Sequence, residues 1–264
     1  MEFLAILTSV SFESEIILSQ LKNVRKTEIA GKTAYKGKLS NINILLMNTG
    51  IGDVNAAHSA TGIIEHFPIR YIINSGVGGA YPHVRLEIGH IAIALKEIYS
   101  DKGVISSKGQ KGLKEIGIPL VQAGRRKYFN EFPFDKNLVQ KVLKRITHHA
   151  LRSSKMQYNP SPIPLPQGEG VRVEAGNFIT VSSATGTYKR ALELEKKFNA
   201  ICENMEGAAI AQVCAIYKIP MLEIRGISNI VGERDKGKWD LELASENCQR
   251  AVLRVINSLL PADF

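Results

Sequence analysis

The chain has 264 residues, 44% of them hydrophobic, so it is long enough to bury the core of one large globular domain. Its formal net charge is +9, but the basic residues are spread along the sequence, and the densest run, KVLKRITHHALRSSK, has the composition of a solvated helix face. This distribution argues against a nucleic-acid partner, and a positive field suits a small anionic substrate at least as well.

No stretch approaches the roughly 18 uncharged apolar residues that a membrane span requires. The opening MEFLAILTSVSFESE lacks a basic region and turns acidic at once, so we expect a cytoplasmic protein without a membrane partner. The three cysteines are odd in number and show no CxxC spacing. We expect small core residues in a reducing compartment, with neither a disulfide framework nor a zinc site.

Apolar strand-like runs alternate with helical patterns along the chain. In order they are a strand in EFLAILTS, a helix in FESEIILSQLK, a strand in NINILLMNTG, a helix in GDVNAAHSATGIIEHF with Asp53 as its N-cap, a strand in RYIINSGVGG that runs into a glycine-rich turn, and a strand in IGHIAIALKEIY. A helix in FDKNLVQKVLKRITHH, a strand in NFITVSSA, helices in TYKRALELEKKF and ENMEGAAIAQVCAIYK, a strand in IPMLEIRGIS and a helix in ELASENCQRAVLRVINSLL follow. This order predicts one domain over residues 1–264, with three α/β/α layers around a mixed, largely parallel sheet.

One segment interrupts this alternation. YNPSPIPLPQGEGVRVEAG, residues 158–176, is rich in proline and glycine, and proline excludes a central strand or a helix. We interpret residues of about 150–176 as an exposed insertion, and a proline-rich docking motif is the alternative.

Polar or glycine-rich segments follow six predicted strands, where open α/β sheets bind their ligands. These segments are Glu13 and Glu15, TGIG (49–52), NSGVGGA (74–80), SSATGT (182–187), the stretch 203–206 and RGISN (225–229). Singly they are weak signals. GIGDVNAA lacks the third glycine of a dinucleotide fingerprint, and SGVGG is compatible with a phosphate-binding nest but lacks the GK[ST] of a P-loop.

Their combination resembles the nucleoside phosphorylase and nucleosidase superfamily. ENMEGAAIAQVCAIYKIPMLEIRGIS is similar to its Met-Glu helix start followed by an Arg-x-Ile-Ser-Asp turn, and TGIGDVNAA and INSGVGGA match its two glycine turns in the same order. The resemblance implies a nucleoside phosphorylase-like fold, a purine nucleoside substrate and no metal or organic cofactor. It also implies a homodimer or larger homo-oligomer in which a neighbour's side chain lines the pocket.

By this resemblance Glu206 holds the ribose 2′- and 3′-hydroxyls, and Met205 packs under the sugar. Cleavage of the N-glycosidic bond builds positive charge on the sugar, so a nearby carboxylate is most favourable in the transition state. The alternative is a helix capped by Asn204, with Glu206 an ordinary first-turn acid. Glu13 is the implied base that activates water, Glu15 is the candidate if the register differs, and an ordinary helix acid is the other interpretation.

Asn229 stands where adenine-specific members of the family carry an aspartate. Its amide group offers two donors, which suit the N7 and O6 acceptors of a 6-oxopurine, although a flipped amide would serve adenine. Arg225 and Ser228 would position this segment, unless Arg225 is a buried structural arginine. The family's phosphorylases carry an arginine and a hydroxyl where this chain has Asn74 and Val77, so water is the expected nucleophile.

CENMEGAA, EIRGISNIVGERDKGKWDL and TVSSATGT resemble most the futalosine hydrolases of this superfamily. That resemblance implies release of hypoxanthine from futalosine in menaquinone biosynthesis, and a cationic side chain near the substrate's anionic tail. Thr185 stands where related nucleosidases stack an aromatic ring on the purine. The complete set of implied substrate contacts is Ile51, Val77, Gly78, Thr185, Asn204, Met205, Arg225 and Ser228. The alternatives are a methylthioadenosine/S-adenosylhomocysteine-type nucleosidase and a nucleoside-binding protein without turnover.

Overall fold

The computed structural model of the chain describes residues 2–107, 109–152 and 170–258. Its first part contains the strands β1 (Phe3–Thr8), β2 (Lys22–Ile29), β3 (Lys32–Leu39), β4 (Ile42–Asn48), β5 (Ile69–Ala80) and β6 (Ile91–Tyr99), with the helices α1 (Glu15–Gln20) and α2 (Asp53–His66). Short strands follow, β7 (Gly103–Ser106), β8 (Gly109–Gly112), β9 (Val121–Ala123), β10 (Arg126–Tyr128) and β11 (Glu131–Pro133). The last part contains α3 (Lys136–Arg152), β12 (Val173–Thr180), α4 (Tyr188–Phe198), β13 (Ala200–Asn204), α5 (Gly207–Tyr217), β14 (Met221–Ile230) and α6 (Leu241–Ser258).

Helices cover both faces of the main sheet, because its central strands are apolar on both sides. Leu4 and Ile6 of β1 belong to a core that includes residues of α1, α3 and α6. Ala5 and Leu7, which alternate with them, belong to a second core formed with α2 and α5. The sheet is mixed, and the predicted three-layer α/β/α arrangement is confirmed.

Part of the sheet closes into a ring. β5 pairs with β14, β14 with β6, β6 with β12, β12 with β13, and β13 returns to β5. From β5 the sheet continues through β1, β4, β3 and β2. Two short antiparallel contacts, between β13 and β5 and between β14 and β6, close the ring, and hydrophobic periodicity gives no signal for them. The closure brings the ends of β5, β13 and β14 together.

The segment 74–80 is a strand, which corrects the predicted glycine-rich turn. β5 continues through it to Ala80 and pairs with β14 along this length. Its glycines permit close approach by neighbouring groups. A Cβ atom at Gly76 would lie 2.6 Å from Glu13 Oε1, and one at Gly78 would lie 2.6 Å from Cys202 Sγ. The glycines therefore leave space for side chains that enter the ring.

Three other boundaries differ from the prediction. The helix expected from Glu203 begins at Gly207, because the preceding residues extend β13 and pair with β12 and β5. The segment 225–229 is part of β14 and not a turn. Helix α2 begins at Asp53 itself, with Gly52 in the cap position, so Asp53 is not the N-cap.

Several strands were not predicted. β2 and β3 form a hairpin around Ala30 and Gly31, both at positive φ, and most of β2 is exposed. An exposed edge strand made of charged residues lacks the alternating apolar pattern on which a prediction depends. The strands β7–β11 are three or four residues long, too short for any periodicity.

The predicted insertion is only partly described. Residues 153–169, which include its prolines, lie outside the described residues, so neither its exposure nor a docking role is tested. Its two ends are regular structure, since α3 extends to Arg152 and β12 begins at Val173. Within the described parts of the chain, no helix combines the length and hydrophobicity that crossing a bilayer requires. All three cysteines are buried, as predicted.

Candidate active site

A cleft of about 360 Å³ opens where the ends of β5, β13 and β14 meet the loops that follow β1, β4 and β12. Apart from the alternative base Glu15, every residue that the resemblance assigned to the site lines this cleft. They are Glu13, Ile51, Val77, Gly78, Thr185, Asn204, Met205, Glu206, Arg225, Ser228 and Asn229. The loops and strand ends that carry them are far apart in sequence, and the closed ring brings them together.

Glu13 lies in a short 3-10 turn after β1 and is buried. One of its carboxylate oxygens accepts hydrogen bonds from the backbone N–H groups of Ser9 and Val10, at 2.8 and 3.1 Å, and the other accepts from Val77 N at 2.8 Å. A carboxylate has about four lone-pair directions, so three bonds leave one for a proton. Burial raises the pKa of Glu13 above its usual value, although the charge of Arg225 and the backbone donors oppose the rise.

Glu15, the alternative base, lies at the exposed start of α1. It lines a separate surface depression beside α6 and not the cleft that contains Glu13. Of the two acids, the structure therefore places Glu13 within reach of a ligand in the cleft.

Glu206 occupies the cap position of α5 and is buried. Its Oε1 accepts a hydrogen bond of 3.0 Å from Gly52 N, at the start of α2, and its Oε2 lies 3.6 Å from Arg225 Nη2. It therefore lies between two helix starts, where backbone N–H groups favour a negative charge. The side chain is turned into the cleft and does not cap its own helix.

Arg225 is the cation of the cleft floor and is almost completely buried. Its Nε donates to Glu223 Oε1 at 2.9 Å, and its Nη1 donates to Val77 O at 3.2 Å. Burial disfavours the guanidinium, but the neighbouring carboxylates, Glu223 first and then Glu206, outweigh it and raise its pKa. Arg225 is therefore both a buried structural arginine and a residue of the cleft wall, so the two interpretations of it do not exclude each other.

Asn204 lies two residues before the cap residue Glu206, and its side chain makes the capping hydrogen bonds that the alternative interpretation expected. Its Oδ1 accepts from the backbone N–H groups of Glu206 at 3.0 Å and Gly207 at 2.7 Å. Its Nδ2 donates to the buried Glu97 at 2.5 Å. Through its bonds to these two N–H groups, Asn204 fixes the backbone from which Glu206 projects.

Asn229 lies at the end of β14 with a defined amide orientation. The hydroxyl of Ser228 donates to Asn229 Oδ1 at 2.8 Å, and Asn229 Nδ2 donates to Ile230 O at 3.2 Å. Because Ser228 donates to its oxygen and one N–H donates to Ile230 O, the second N–H of Asn229 is the donor that remains for a ligand in the cleft.

Thr185 is held by Glu203, which the sequence analysis noted but gave no role. Glu203 accepts from the Thr185 hydroxyl at 2.6 Å, from Thr185 N at 2.9 Å and from the Tyr81 hydroxyl at 2.8 Å. Burial and the Glu203 carboxylate raise the pKa of Tyr81, so the phenol remains a donor. These bonds fix the loop after β12 against β13.

Two aromatic side chains that sequence reasoning did not assign, Phe12 and Trp239, line the cleft. Trp239 follows β14 together with Arg234, whose guanidinium lies 5.0 Å from the centre of the indole ring. Arg234 is exposed, and among the described lining residues it joins Arg225 as a cationic side chain. The signal was present in VGERDKGKW, where an arginine and a tryptophan share one polar loop after a predicted strand.

Asn74, the counterpart of the phosphorylases' arginine, is buried and donates to Glu223 Oε1 at 3.0 Å. It does not line the cleft, and Val77 contributes an aliphatic side chain there. Positions 74 and 77 therefore supply neither the arginine nor the hydroxyl that the resemblance assigns to phosphate binding.

Comparison with known proteins identifies the family. The model of the family described as the phosphorylase superfamily matches residues 4–260. The chain belongs to this superfamily.

Within the superfamily, the chain is similar to proteins of two kinds. It is 30% identical over 223 residues to a futalosine hydrolase from Thermus thermophilus, with 84% of this chain and 85% of that protein covered. It is also 30% identical over 261 residues to a 5′-methylthioadenosine/S-adenosylhomocysteine nucleosidase from Psychromonas ingrahamii, with 97% and 99% covered. The crystal structure of such a nucleosidase from Colwellia psychrerythraea, in complex with adenine, has the same fold, with a TM-score of 0.77 at 24% identity over 98% of this chain and 96% of that one.

Proposed function

We propose that this nucleosidase of the phosphorylase superfamily, a hydrolase of N-glycosyl bonds, cleaves futalosine to hypoxanthine and dehypoxanthine futalosine, a reaction of menaquinone biosynthesis. The observation that carries the choice of substrate is the amide of Asn229, whose oxygen is engaged by Ser228. The NH₂ group then meets the purine. One N–H of this group already donates to Ile230 O, and the other is available to N7 or O6 of hypoxanthine, both of which accept, whereas the 6-amino group of adenine would meet another donor.

In the proposed mechanism Glu13 accepts a proton from water, and the resulting nucleophile attacks C1′ as the bond between C1′ and N9 breaks. The bonding electrons leave with the purine. Asn229 stabilises them by hydrogen bonding, and since an amide does not act as an acid, the departing base takes its proton from solvent. Glu206 accepts from the ribose hydroxyls and stabilises the positive charge of the sugar. Its bond to Gly52 N and its contact with Arg225 keep it oriented before the substrate binds.

Arg234 is our candidate for the anionic tail of the substrate. It lies at the exposed side of the cleft, in contact with Trp239, where a carboxylate and an aromatic ring would both find a partner. An ion pair between the tail carboxylate and this exposed guanidinium contributes modestly to binding, because water solvates both groups when they are apart.

We also propose a cytoplasmic homodimer. Ile51 and Val54, beside the cleft, are 60% and 78% exposed, and Ile105 of β7 is 84% exposed. Lys102 Nζ lies 3.7 Å from Asp53 Oδ2, so the segment that leads into β7 contacts the start of α2. A second copy covering this region would remove it from water. Sedimentation of wild type and Val54→Lys tests this, and a monomeric wild type would contradict it.

The experiment that tests the function incubates the purified protein with futalosine, with and without phosphate, and follows hypoxanthine by chromatography. We expect equal release in both samples. Faster release of adenine from methylthioadenosine would favour the second candidate, which the relative from Psychromonas ingrahamii supports by its greater coverage. Tight futalosine binding without release would indicate a nucleoside-binding protein.

A further inference from the structure

Two carboxyl groups outside the cleft lie directly behind its floor. Glu97 on β6 and Glu223 on β14 are both fully buried. They are hydrogen-bond neighbours, and both approach Gly207, where a Cβ atom would overlap Glu97 and lie 2.6 Å from each Glu223 oxygen. The absence of a side chain at Gly207 therefore leaves the space that the two carboxyl groups occupy.

Each member of the pair holds a different part of the site. Glu97 accepts from Asn204 Nδ2 at 2.5 Å and from the Thr180 hydroxyl at 2.9 Å, and Asn204 in turn fixes the backbone of Glu206. Glu223 accepts from Arg225 Nε at 2.9 Å, and Arg225 contacts Glu206. Both routes from the pair end at the carboxylate that we propose stabilises the sugar.

The hydrogen bonds indicate where a proton is needed. Glu223 Oε1 accepts from Asn74 and Arg225, whereas Glu223 Oε2 is buried without a donor. A buried carboxylate oxygen without a partner is costly. Since Glu97 is its hydrogen-bond neighbour, a proton on Glu97 would supply the missing donor, and two adjacent buried carboxylates would otherwise repel each other.

We propose that Glu97 and Glu223 share one proton and act as a positioning pair that carries a single negative charge for Arg225. The pair orients Glu206 through Asn204 and Arg225, and it does not touch the substrate. The shared proton does not depend on the proposed function, but the effect of the pair on activity rests on it.

The surroundings are consistent with one charge. Burial and Glu223 raise the pKa of Glu97 well above its usual range, and burial raises that of Glu223 despite Arg225. The other titratable groups near the pair are Cys202 on β13, Tyr99 on β6 and Glu206 before α5, and Glu13 after β1 faces Arg225. Burial raises the pKa of the Cys202 thiol and of the Tyr99 phenol, so both remain neutral. The described neighbours thus include one cation, Arg225, facing several acids.

Glutamine variants test the shared proton through activity on futalosine. Glu97→Gln and Glu223→Gln each leave one carboxylate, so the single charge survives, and we expect each to retain kcat within about threefold. The double variant removes the charge that the pair holds at Arg225 Nε, and Glu206 remains a charged neighbour of Arg225 without it. We expect a loss of about 10²-fold, more than the product of the single effects. A double variant no worse than that product, or a single variant already reduced about 10²-fold, would overturn the proposal.

Two measurements without substrate keep the test independent of the proposed function. Infrared spectroscopy of the wild type should show a protonated carboxyl group at neutral pH that is absent in Glu97→Gln. Because the folded pKa of Glu97 is raised, its contribution to stability is present at acid pH and is lost as pH rises through that pKa. The denaturation midpoint of Glu97→Gln should therefore rise relative to that of the wild type as pH rises above about 4.5. If the infrared band is the same in both proteins, or if the midpoint of Glu97→Gln falls relative to wild type as pH rises, both groups are ionised and the proposal is wrong.

Discussion

The floor and the mouth of the cleft are built in opposite ways. On the floor, Glu13, Glu206 and Arg225 are buried, and each is held by backbone or by an opposite charge. At the mouth, Arg234 is exposed and contacts the partly exposed Trp239 on the loop after β14. A reacting bond requires charges fixed before it breaks, whereas a tail that only binds needs a partner that water can also reach. We therefore expect floor substitutions to change kcat and mouth substitutions to change KM.

The largest effect should come from Glu13→Gln, because glutamine cannot accept the proton of the attacking water. We expect kcat to fall about 10²- to 10⁴-fold. In the wild type, kcat/KM should decline as pH falls through the pKa of Glu13, and burial places this limb above the usual glutamate range. Glu15→Gln is the matched control and should retain the wild-type rate. A variant of Glu13 with normal kcat would remove the base from the mechanism.

Glu206→Gln should lower kcat about 10²- to 10³-fold, because it removes the charge beside the sugar. The capping bonds from Asn204 to the start of α5 do not involve the Glu206 side chain and should remain. Single-turnover rates with futalosine measure this step. Glu242→Gln, at the exposed start of α6, changes an acid in a similar place on a helix and is the control. An unchanged single-turnover rate in Glu206→Gln would mean that the floor does not stabilise the sugar.

The floor was also the part that could be predicted from the sequence. Long apolar runs predicted the central strands, and the Met-Glu helix start and the glycine segments indicated the cleft residues. The helical interpretation of Glu203 failed because this residue belongs to β13. The pairing of β13 with β5 is one of the two contacts that close the ring, and it has no signal in the sequence. Glu97 had no signal at all, since one acid in an apolar strand does not show which distant residue it will meet. Arg234 lies in a polar loop, and composition does not distinguish a loop over a cleft from a loop in solvent.

We propose that Asn229, which also lines the cleft, recognises the base, and Asn229→Asp should change specificity more than rate. An aspartate can share a proton with adenine N7 and accept from the 6-amino group. We expect the ratio of kcat/KM for futalosine to that for methylthioadenosine to fall at least about tenfold, the worth of one hydrogen bond. Ser228→Ala, which frees the amide to rotate, should lower the same ratio less. An unaltered ratio in Asn229→Asp would place purine discrimination elsewhere.

The smallest effect should come from the mouth. Arg234→Gln keeps the length and polarity of the side chain but removes its charge, so we expect KM for futalosine to rise about three- to tenfold with kcat unchanged. The difference from wild type should shrink as salt is added, because exposed charges are screened. Lys236→Gln removes a charge from the same loop but does not line the cleft, and it separates a local contact from the general positive field. If both variants raise KM equally, the field attracts the substrate and Arg234 has no specific partner. If Arg234→Gln lowers kcat instead, the loop takes part in closing the floor, and the distinction between floor and mouth fails.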